Sequence, residues 1–134
     1  MKKLATLALT FVMVLMVTSC GNKTAVIEKT VTDFLDAYFK VEYARAAEYC
    51  TDDLKADIIR SMENMESLEA GVKEMIVQST SQAKVEIISV DTESGKDAAI
   101  VRYKVILPHF PNGMEYTTSL VKINKGWKIN SLGF

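Results

Sequence analysis

Few side chains in this sequence have types and spacings that could support catalysis or metal binding. The chain has a single histidine, His109, and two cysteines, Cys20 and Cys50. One histidine, a lone Cys50 and scattered acids give no pair of ligands at a spacing typical of a zinc site. Glycine-rich phosphate loops, nucleophile elbows and paired-histidine helices are also missing from the sequence. We therefore predict neither a metal site nor a cofactor.

The two remaining reactive side chains have settings that favour ordinary roles. Cys50 ends a helical pattern, and no histidine lies near it in the sequence. Such a cysteine is typically a small buried apolar residue, and a reactive or intermolecular thiol is the alternative. His109 lies on a proline-flanked loop, where an exposed imidazole without a catalytic role is the common case.

The first twenty residues have the pattern of an export signal. Lys2 and Lys3 precede an uncharged apolar stretch over 4–17, which is shorter than the roughly 20 residues of a membrane-spanning helix. A membrane anchor helix is the alternative. The run Val17-Thr18-Ser19-Cys20 resembles the lipobox of bacterial lipoproteins. That resemblance implies cleavage before Cys20 and attachment of a lipid, with acyl chains such as palmitate, to its sulfur.

The lipobox divides the chain into a signal peptide (1–19), a lipidated tether (20–24) and one domain (25–134). Residues 20–134 are enough for one domain and too few for two. Acylation of Cys20 would anchor the protein to a lipid bilayer and leave Cys50 without a disulfide partner. Gly21 rather than Asp follows Cys20, so the inner-membrane retention signal of enteric bacteria is missing. We expect an exported protein in the cell envelope, on the outer membrane facing the periplasm rather than on the inner membrane.

The charge of the chain argues against nucleic acid as a partner. Lysine and arginine number 16 against 17 aspartates and glutamates, which gives a formal net charge of −1. The basic residues form no block, so the sequence provides no positive surface for a phosphate backbone.

Apolar residues three or four positions apart predict helices in the first half of the domain. An amphipathic helix is expected over 25–40, where Ile27, Val31, Phe34, Leu35 and Tyr38 share a face. A short helix should follow over about 43–49. Thr51 or Asp52 can then serve as the N-cap of the next helix. An apolar stripe then continues over 53–79, as one helix or two. Its methionines, Met62, Met65 and Met75, are interpreted as core filler rather than as an adaptable binding face.

A period of two after Gln82 predicts strands over 85–90, 98–107 and about 114–123, and a final strand after a hairpin turn. In the hairpin, Gly126 is predicted to take the left-handed conformation that closes a type I turn. Ile123 would then pair with Trp127, and Val121 and Ile129 would share one buried face. The resulting fold class is α+β, with N-terminal helices packed on a four-stranded antiparallel sheet, which the resemblance described next implies is curved.

The element order, Phe34 and Tyr38, the run over 44–53 and the closing run over 120–129 resemble the nuclear transport factor 2-like superfamily. Within it, the chain is similar to the lumazine-binding-like domain of bacterial lipoproteins, a domain of unknown function. This resemblance implies a cystatin-like cone with a pocket at its open end and frequent homodimerisation through the sheet. The pocket candidates are then Phe34, Tyr38, Val101, Tyr103 and Trp127.

Catalytic members of this superfamily place acids, tyrosines or histidines inside the cone. A carboxylate in an apolar cavity can act as a base, but a tyrosine with its usual pKa near 10 is a poor one. Because the predicted inward faces are apolar apart from phenols, we expect a non-catalytic module that binds a small apolar ligand or an envelope protein. The alternatives are a structural or assembly subunit with a filled cone, and a small pocket enzyme that uses Asp36 with a tyrosine. The candidate residues for such catalysis are Asp36, Tyr38, Tyr43, Tyr103, His109 and Tyr116.

Overall fold

The computed structural model describes residues 22–133, which form four helices followed by a four-stranded antiparallel sheet. The predicted α+β class is confirmed. The predicted signal peptide (1–19) and the predicted acylation site, Cys20, lie outside the described residues. The first helix already begins at Asn22, so residues 22–24, which the sequence assigns to the tether, are helical.

Helix α1 (Asn22–Phe39) lies across the sheet and contributes the largest helical share of the core. Its predicted apolar stripe is the buried face, and it packs against the first, second and fourth strands. Tyr38 is half-buried, and the other four members of the stripe are buried: Ile27, Val31, Phe34 and Leu35.

The chain leaves α1 through a Schellman motif whose left-handed position is occupied by a valine. The Glu42 N–H donates to the Ala37 carbonyl at 2.9 Å, and the Val41 N–H donates to the Tyr38 carbonyl at 3.0 Å. Val41 has a φ of 63°. Glycine is the usual residue at this position, and a residue with a Cβ pays about 1–2 kcal/mol for the left-handed conformation.

Three shorter helices follow: α2 (Tyr43–Ala47), α3 (Asp52–Glu66) and α4 (Ala70–Thr80). The region 53–79 is therefore two helices with a break at 67–69. Thr51 stands at the N-cap position of α3, but among the described residues its buried hydroxyl has no hydrogen-bond partner. Two acids in the first turn, Asp52 and Asp53, face the positive end of the helix instead.

The sheet has the strand order β1 (Lys84–Asp91), β2 (Ala98–Leu107), β3 (Phe110–Ile123), β4 (Gly126–Ile129), and these strands do not close into a barrel. Alternate β2 residues from Ala99 to Val105 are buried beneath α1. The edge of β4 is extended by the segment after α2, since the Ile129 N–H donates to the Tyr49 carbonyl at 2.7 Å and the Thr51 N–H donates back to Ile129 at 2.9 Å. The core lies between α1 and this face of the sheet.

Strand β3 begins four residues earlier than the sequence predicts. Pro108 and His109 alone form the turn after β2, because Leu107 already pairs with Phe110. Pro111 and Gly113 lie in a bulge of β3, between the pairs Leu107–Phe110 and Val105–Met114, and Gly113 has a φ of 77°. Proline and glycine are both common in β-bulges. This part of β3 does not pair with β4, so no ladder hydrogen bond is lost because Pro111 lacks an N–H.

The predicted pairing of the last hairpin is wrong by one position. Asn124 and Lys125 both have positive φ, 50° and 69°, which is the geometry of a two-residue type I′ loop. Lys122 therefore pairs with Trp127, and Ile123 pairs with Gly126. As a result Trp127 shares its face with Ile129 and Leu120, whereas Val121 and Ile123 point to the other side of the sheet and Ile123 is 45% exposed.

One end of the domain, which we call the N-terminal pole, brings the start of α1 against the β1–β2 and β3–β4 turns. The Lys122 N–H donates to the Asp97 carbonyl at 2.8 Å, and the Lys23 ammonium lies 3.5 Å from the Lys96 carbonyl. The opposite end, the distal pole, holds the C-terminal end of α1 and the start of β1, which border one small cleft. The 18 residues of α1 separate the two poles by about 27 Å.

Candidate functional site

A groove of about 540 Å³ opens between α2, α3 and α4 beside the C-terminal end of α1. We call it the helical groove. Its lining combines apolar side chains with charged ones, and consists of residues 41–45, Met62, Met65, Glu66, Lys73 and Val77. Neither the superfamily resemblance nor the apolar periodicity predicts a groove at this place.

The floor of the helical groove is connected to the core through a chain of aromatic rings in contact with one another. The Tyr43 ring lies 5.4 Å from the Tyr38 ring, centroid to centroid, and the Tyr38 ring lies 5.9 Å from that of the buried Phe34. Burial raises the pKa of Tyr38 and of Tyr43 above the usual value near 10. Repulsion from the ionised form of Tyr43 adds to the effect on Tyr38. Both phenols are therefore neutral at pH 7, and Tyr43 offers a rigid amphipathic surface to a ligand.

The wall formed by α3 and α4 is apolar but incompletely packed. Met62 and Met65 are half-buried, and Val77 is 37% exposed. Helix α4, which the structure describes throughout, contributes no buried residue. The interpretation of the methionines as core filler is wrong for Met75, which is 70% exposed. Met62 and Met65 instead supply the flexible, polarizable lining that suits a binding surface.

An exposed network of charges borders the groove where α1 meets α2. The Arg45 guanidinium lies 2.7 Å from a Glu42 carboxylate oxygen and 3.0 Å from Asp36, which also pairs with Lys40 at 3.2 Å. Exposed pairs of this kind contribute at most about 1 kcal/mol to stability. Their consequence here is orientation, because they hold Glu42 and Arg45 at the rim.

The same network determines the chemistry of Asp36. Partial desolvation would raise the pKa of its carboxyl group, but hydrogen bonds from Lys40 and Arg45 outweigh that effect and the pKa is lowered overall. A general base at neutral pH needs the opposite change. Asp36 is an exposed, ionised partner of two cations rather than a carboxylate in an apolar cavity.

A second groove, also of about 540 Å³, lies on the other flank of α4. It is lined by the exposed Met75 and by Ile76, with the turn residues Pro108 and His109 opposite them. His109 is exposed, as its loop position predicts, and the structure brings it to this groove rather than to the tyrosines. Helix α4 therefore has an open surface on both sides.

The five predicted pocket residues are part of the packed interior. Phe34, Val101, Tyr103 and Trp127 are buried and Tyr38 is half-buried, and none of the five lines either groove beside α4. Phe34 and Tyr38 lie together, and the Tyr103 ring lies 5.9 Å from that of Tyr116. Trp127 is separate from them, at the N-terminal pole beside Lys23.

The interior phenol and thiol are satisfied within the chain. The Tyr103 hydroxyl donates to the Leu132 carbonyl at 3.1 Å, and burial, with smaller contributions from Tyr116 and Tyr38, raises its pKa. The Cys50 thiol donates to the Ala46 carbonyl at 3.4 Å, and burial raises its pKa to about 12. A thiol this weakly acidic is a poor nucleophile, so Cys50 is the buried apolar residue that its setting predicts.

The described residues contain no cluster of three or more histidine, cysteine, aspartate or glutamate side chains that could hold a metal ion. Among the helices of residues 22–133, none is both long enough and apolar enough to cross a membrane.

No protein-family model matches the chain, and no curated protein is significantly similar to it.

Proposed function

We propose that this protein is a bacterial envelope lipoprotein, held on the bilayer by an acylated Cys20, whose domain is a non-catalytic module that binds an envelope protein through the helical groove. The observation that carries the proposal is the contrast between a packed interior and an apolar groove on the outside. Tyr43, Met62 and Met65 present apolar surface to solvent, whereas the interior that could hold a small molecule is occupied by the chain's own rings.

The packing of the interior favours a protein partner over a small apolar ligand. A ligand pocket is a cavity that buries most of its occupant. Phe34 and Tyr103 are at most 2% exposed, and both would have to move to admit a ligand between α1 and the sheet. The helical groove is open along its length, which suits a peptide segment or the surface of another protein.

Backbone strain at the edge of the helical groove supports a functional role for it. Val41 lines the groove and has the left-handed conformation that glycine would adopt without cost. Strained backbone of this kind concentrates at binding and catalytic sites. A branched side chain at this position adds apolar surface to the groove that glycine would lack.

In this proposal the domain is a nuclear transport factor 2-like cone. The consecutive antiparallel order of β1 to β4 and the position of α1 across β1, β2 and β4 support that assignment. The lipobox and Gly21 support residence on the outer membrane, facing the periplasm.

A second candidate is an assembly subunit that pairs through the sheet, and one observation favours it. The sheet face opposite α1 has partly exposed apolar residues, with Ile100 at 39% and Ile123 at 45%. Arg102 and Glu115 lie on the same face, 3.5 Å apart. A homodimer could bury this face while the helical groove of each copy stays open.

Site-specific photocrosslinking in living cells tests the proposal. A photoreactive residue at Met65, in the groove, should give a discrete crosslinked product with another envelope protein. The matched control is Asn64 on the same helix, which is exposed and is not part of the groove lining. We expect the Met65 product to be lost when Tyr43→Ala is added, because the groove floor is removed.

Three results would contradict the proposal. Equal crosslinking from Met65 and Asn64 would mean that the groove has no specific partner. A stoichiometric small molecule released from the purified protein would favour the ligand-binding alternative. Crosslinking of the chain to a second copy from Ile100, with none from Met65, would favour the assembly subunit.

A further inference from the structure

The tip of the β3–β4 hairpin at the N-terminal pole combines basic and apolar side chains, and none of them lines the helical groove. Lys122 and Lys125 are exposed, and between them in sequence Ile123 is 45% exposed. The ammonium groups of Lys122 and Lys23 lie 6.0 and 5.6 Å from the centroid of the Trp127 ring. Lys23 and Lys122 lie on the Trp127 side of the hairpin and Ile123 points to the other side. The edge of the hairpin therefore presents three positive charges beside one exposed apolar side chain.

This surface lies close to the predicted point of lipid attachment. Lys23 is three residues after Cys20, and three residues of chain span at most about 11 Å. Lys23 in turn contacts Trp127 and the Lys96 carbonyl. An acylated Cys20 would therefore hold the N-terminal pole near the lipid headgroups, whatever the rest of the domain does.

We infer that the surface formed by Lys23, Lys122, Ile123 and Lys125 rests on anionic phospholipid headgroups; the inference depends on the lipid anchor of the proposed function. Basic side chains beside a bilayer are attracted to anionic lipids and act over about one Debye length. Ile123 is placed to enter the boundary between headgroups and acyl chains, and lysine stems can lie along that boundary with their charges in water.

Acidic residues on the neighbouring turn determine which part of the pole makes the contact. The end of β1 and the β1–β2 connection have exposed Asp91, Glu93 and Asp97 beside Lys96, so the charge of this turn repels an anionic surface. The β3–β4 turn has no acid between Lys122 and Lys128. The domain is therefore tilted with the β3–β4 turn toward the membrane. In that orientation the distal end of α1, where the helical groove opens, points away from the bilayer.

Trp127 is the only tryptophan in the sequence and serves as the probe for this contact. The acylated mature protein, which begins at Cys20, is reconstituted into vesicles of phosphatidylcholine alone or of phosphatidylcholine with phosphatidylglycerol, each with and without a nitroxide label on a headgroup. Emission is compared between labelled and unlabelled vesicles of the same composition. We expect Trp127 quenching to be at least about twofold greater in the anionic vesicles, and to fall to the zwitterionic level when high salt shortens the Debye length to a few ångströms.

The variant Lys122→Gln with Lys125→Asn removes two charges and keeps the turn, since asparagine tolerates positive φ. Each lysine near an anionic surface changes membrane affinity by about fivefold, so the anionic excess in quenching should largely disappear. The matched control is Lys55→Gln with Lys84→Gln, which removes two exposed charges elsewhere and should behave like the parent. Neither variant should melt below the parent.

The outcomes separate this surface from the anchor. An acylated parent with equal quenching in both vesicle types, or a hairpin variant indistinguishable from the parent, would overturn the surface and leave the anchor intact. A purified protein whose mass shows no lipid on Cys20 would overturn the anchor, and with it the reason for the surface to meet a membrane.

Discussion

At the scale of single residues, burial rather than sequence neighbourhood determines the chemistry of the ionisable core groups. Cys50 and Tyr103 both have raised pKa values, with desolvation as the largest cause. Their hydrogen bonds go to backbone carbonyls of Ala46 and Leu132. Both groups therefore have a structural role, and they remain protonated at neutral pH.

This structural role predicts a loss of stability in alkali. Burial raises the pKa of Cys50 from its usual 9.0 to about 12, so between these values the unfolded chain has lost a proton that the folded chain retains. The free energy of unfolding should therefore fall as the pH rises from 9 toward 12. Urea denaturation of Cys20→Ala and of Cys20→Ala with Cys50→Ala at several pH values measures the effect. The protein that retains Cys50 should show the steeper decline, and parallel profiles would contradict the assignment.

Trp127 should be a major contributor to stability despite its place near the domain surface. It is 8% exposed and packs in the same core as Leu120 and Ile129. Replacing a buried tryptophan with alanine typically costs about 3–5 kcal/mol, so Trp127→Ala should shift the urea midpoint strongly. Its control on the same hairpin is the exposed Ile123→Ala, which should stay within about 0.5 kcal/mol of the parent. Similar midpoints for the two variants would mean that the ring is poorly packed.

At the scale of elements, the sequence predicts what periodicity controls and misses what single dihedral angles control. Strand β2 is predicted to the residue, and α1 within three residues, because long runs of one period leave little choice. The β3 boundary and the hairpin pairing are wrong for local reasons. Glycine in the run Asn124-Lys125-Gly126 indicates a left-handed position, but the chain places Lys125 there instead. A one-residue shift of this kind reverses every side chain of a strand.

The hairpin turn can be tested by two glycine substitutions that the two geometries rank differently. Gly126 does not need positive φ, and an added Cβ would meet the Ile123 carbonyl at an ordinary 3.6 Å. Gly126→Ala should therefore change the free energy of unfolding by no more than about 0.5 kcal/mol. Lys125→Gly should raise it by about 0.5–1 kcal/mol, because left-handed strain is relieved at some entropic cost. A costly Gly126→Ala would instead support the three-residue turn.

The end of α1 offers a parallel test that also bears on function. Val41→Gly should increase the free energy of unfolding by up to about 1 kcal/mol, since glycine takes the C′ position of a Schellman motif without strain. The same variant should reduce crosslinking from Met65, because the groove loses an apolar side chain. Val41→Ala serves as the control that removes the groove surface and keeps the strain. A glycine variant that is less stable than the parent would show that Val41 is held mainly by its packing.

At the scale of the whole molecule, the candidate site depends on an arrangement that no local pattern specifies. The helical groove is lined by the connection after α1 and by α2, α3 and α4, so it depends on how these consecutive elements are oriented relative to one another. The available signal was a methionine-rich stripe, and such a stripe more commonly fills a core. The break at 67–69 separates α4 from α3, and α4 buries none of its residues. The sequence does predict the interior, because the buried faces of α1 and β2 follow its periodicity.

This arrangement predicts that α4 opens independently of the rest of the domain. A helix of 11 residues is marginal on its own, and α4 has no buried residue among those described to hold it in place. Its amide hydrogens should exchange through local opening, far faster than those of α1 and β2, which form the core. Hydrogen exchange followed by mass spectrometry measures the difference, with α3 as the internal comparison because it buries Leu54 and Ile58.

If a partner binds in the helical groove, it must fix α4 against α3, so adding the crosslinked partner should slow exchange in α4 while leaving β2 unchanged. Protection of α4 equal to that of α1 without any partner would mean that the groove is already rigid, and a partner that protects only the sheet would place its binding site there instead.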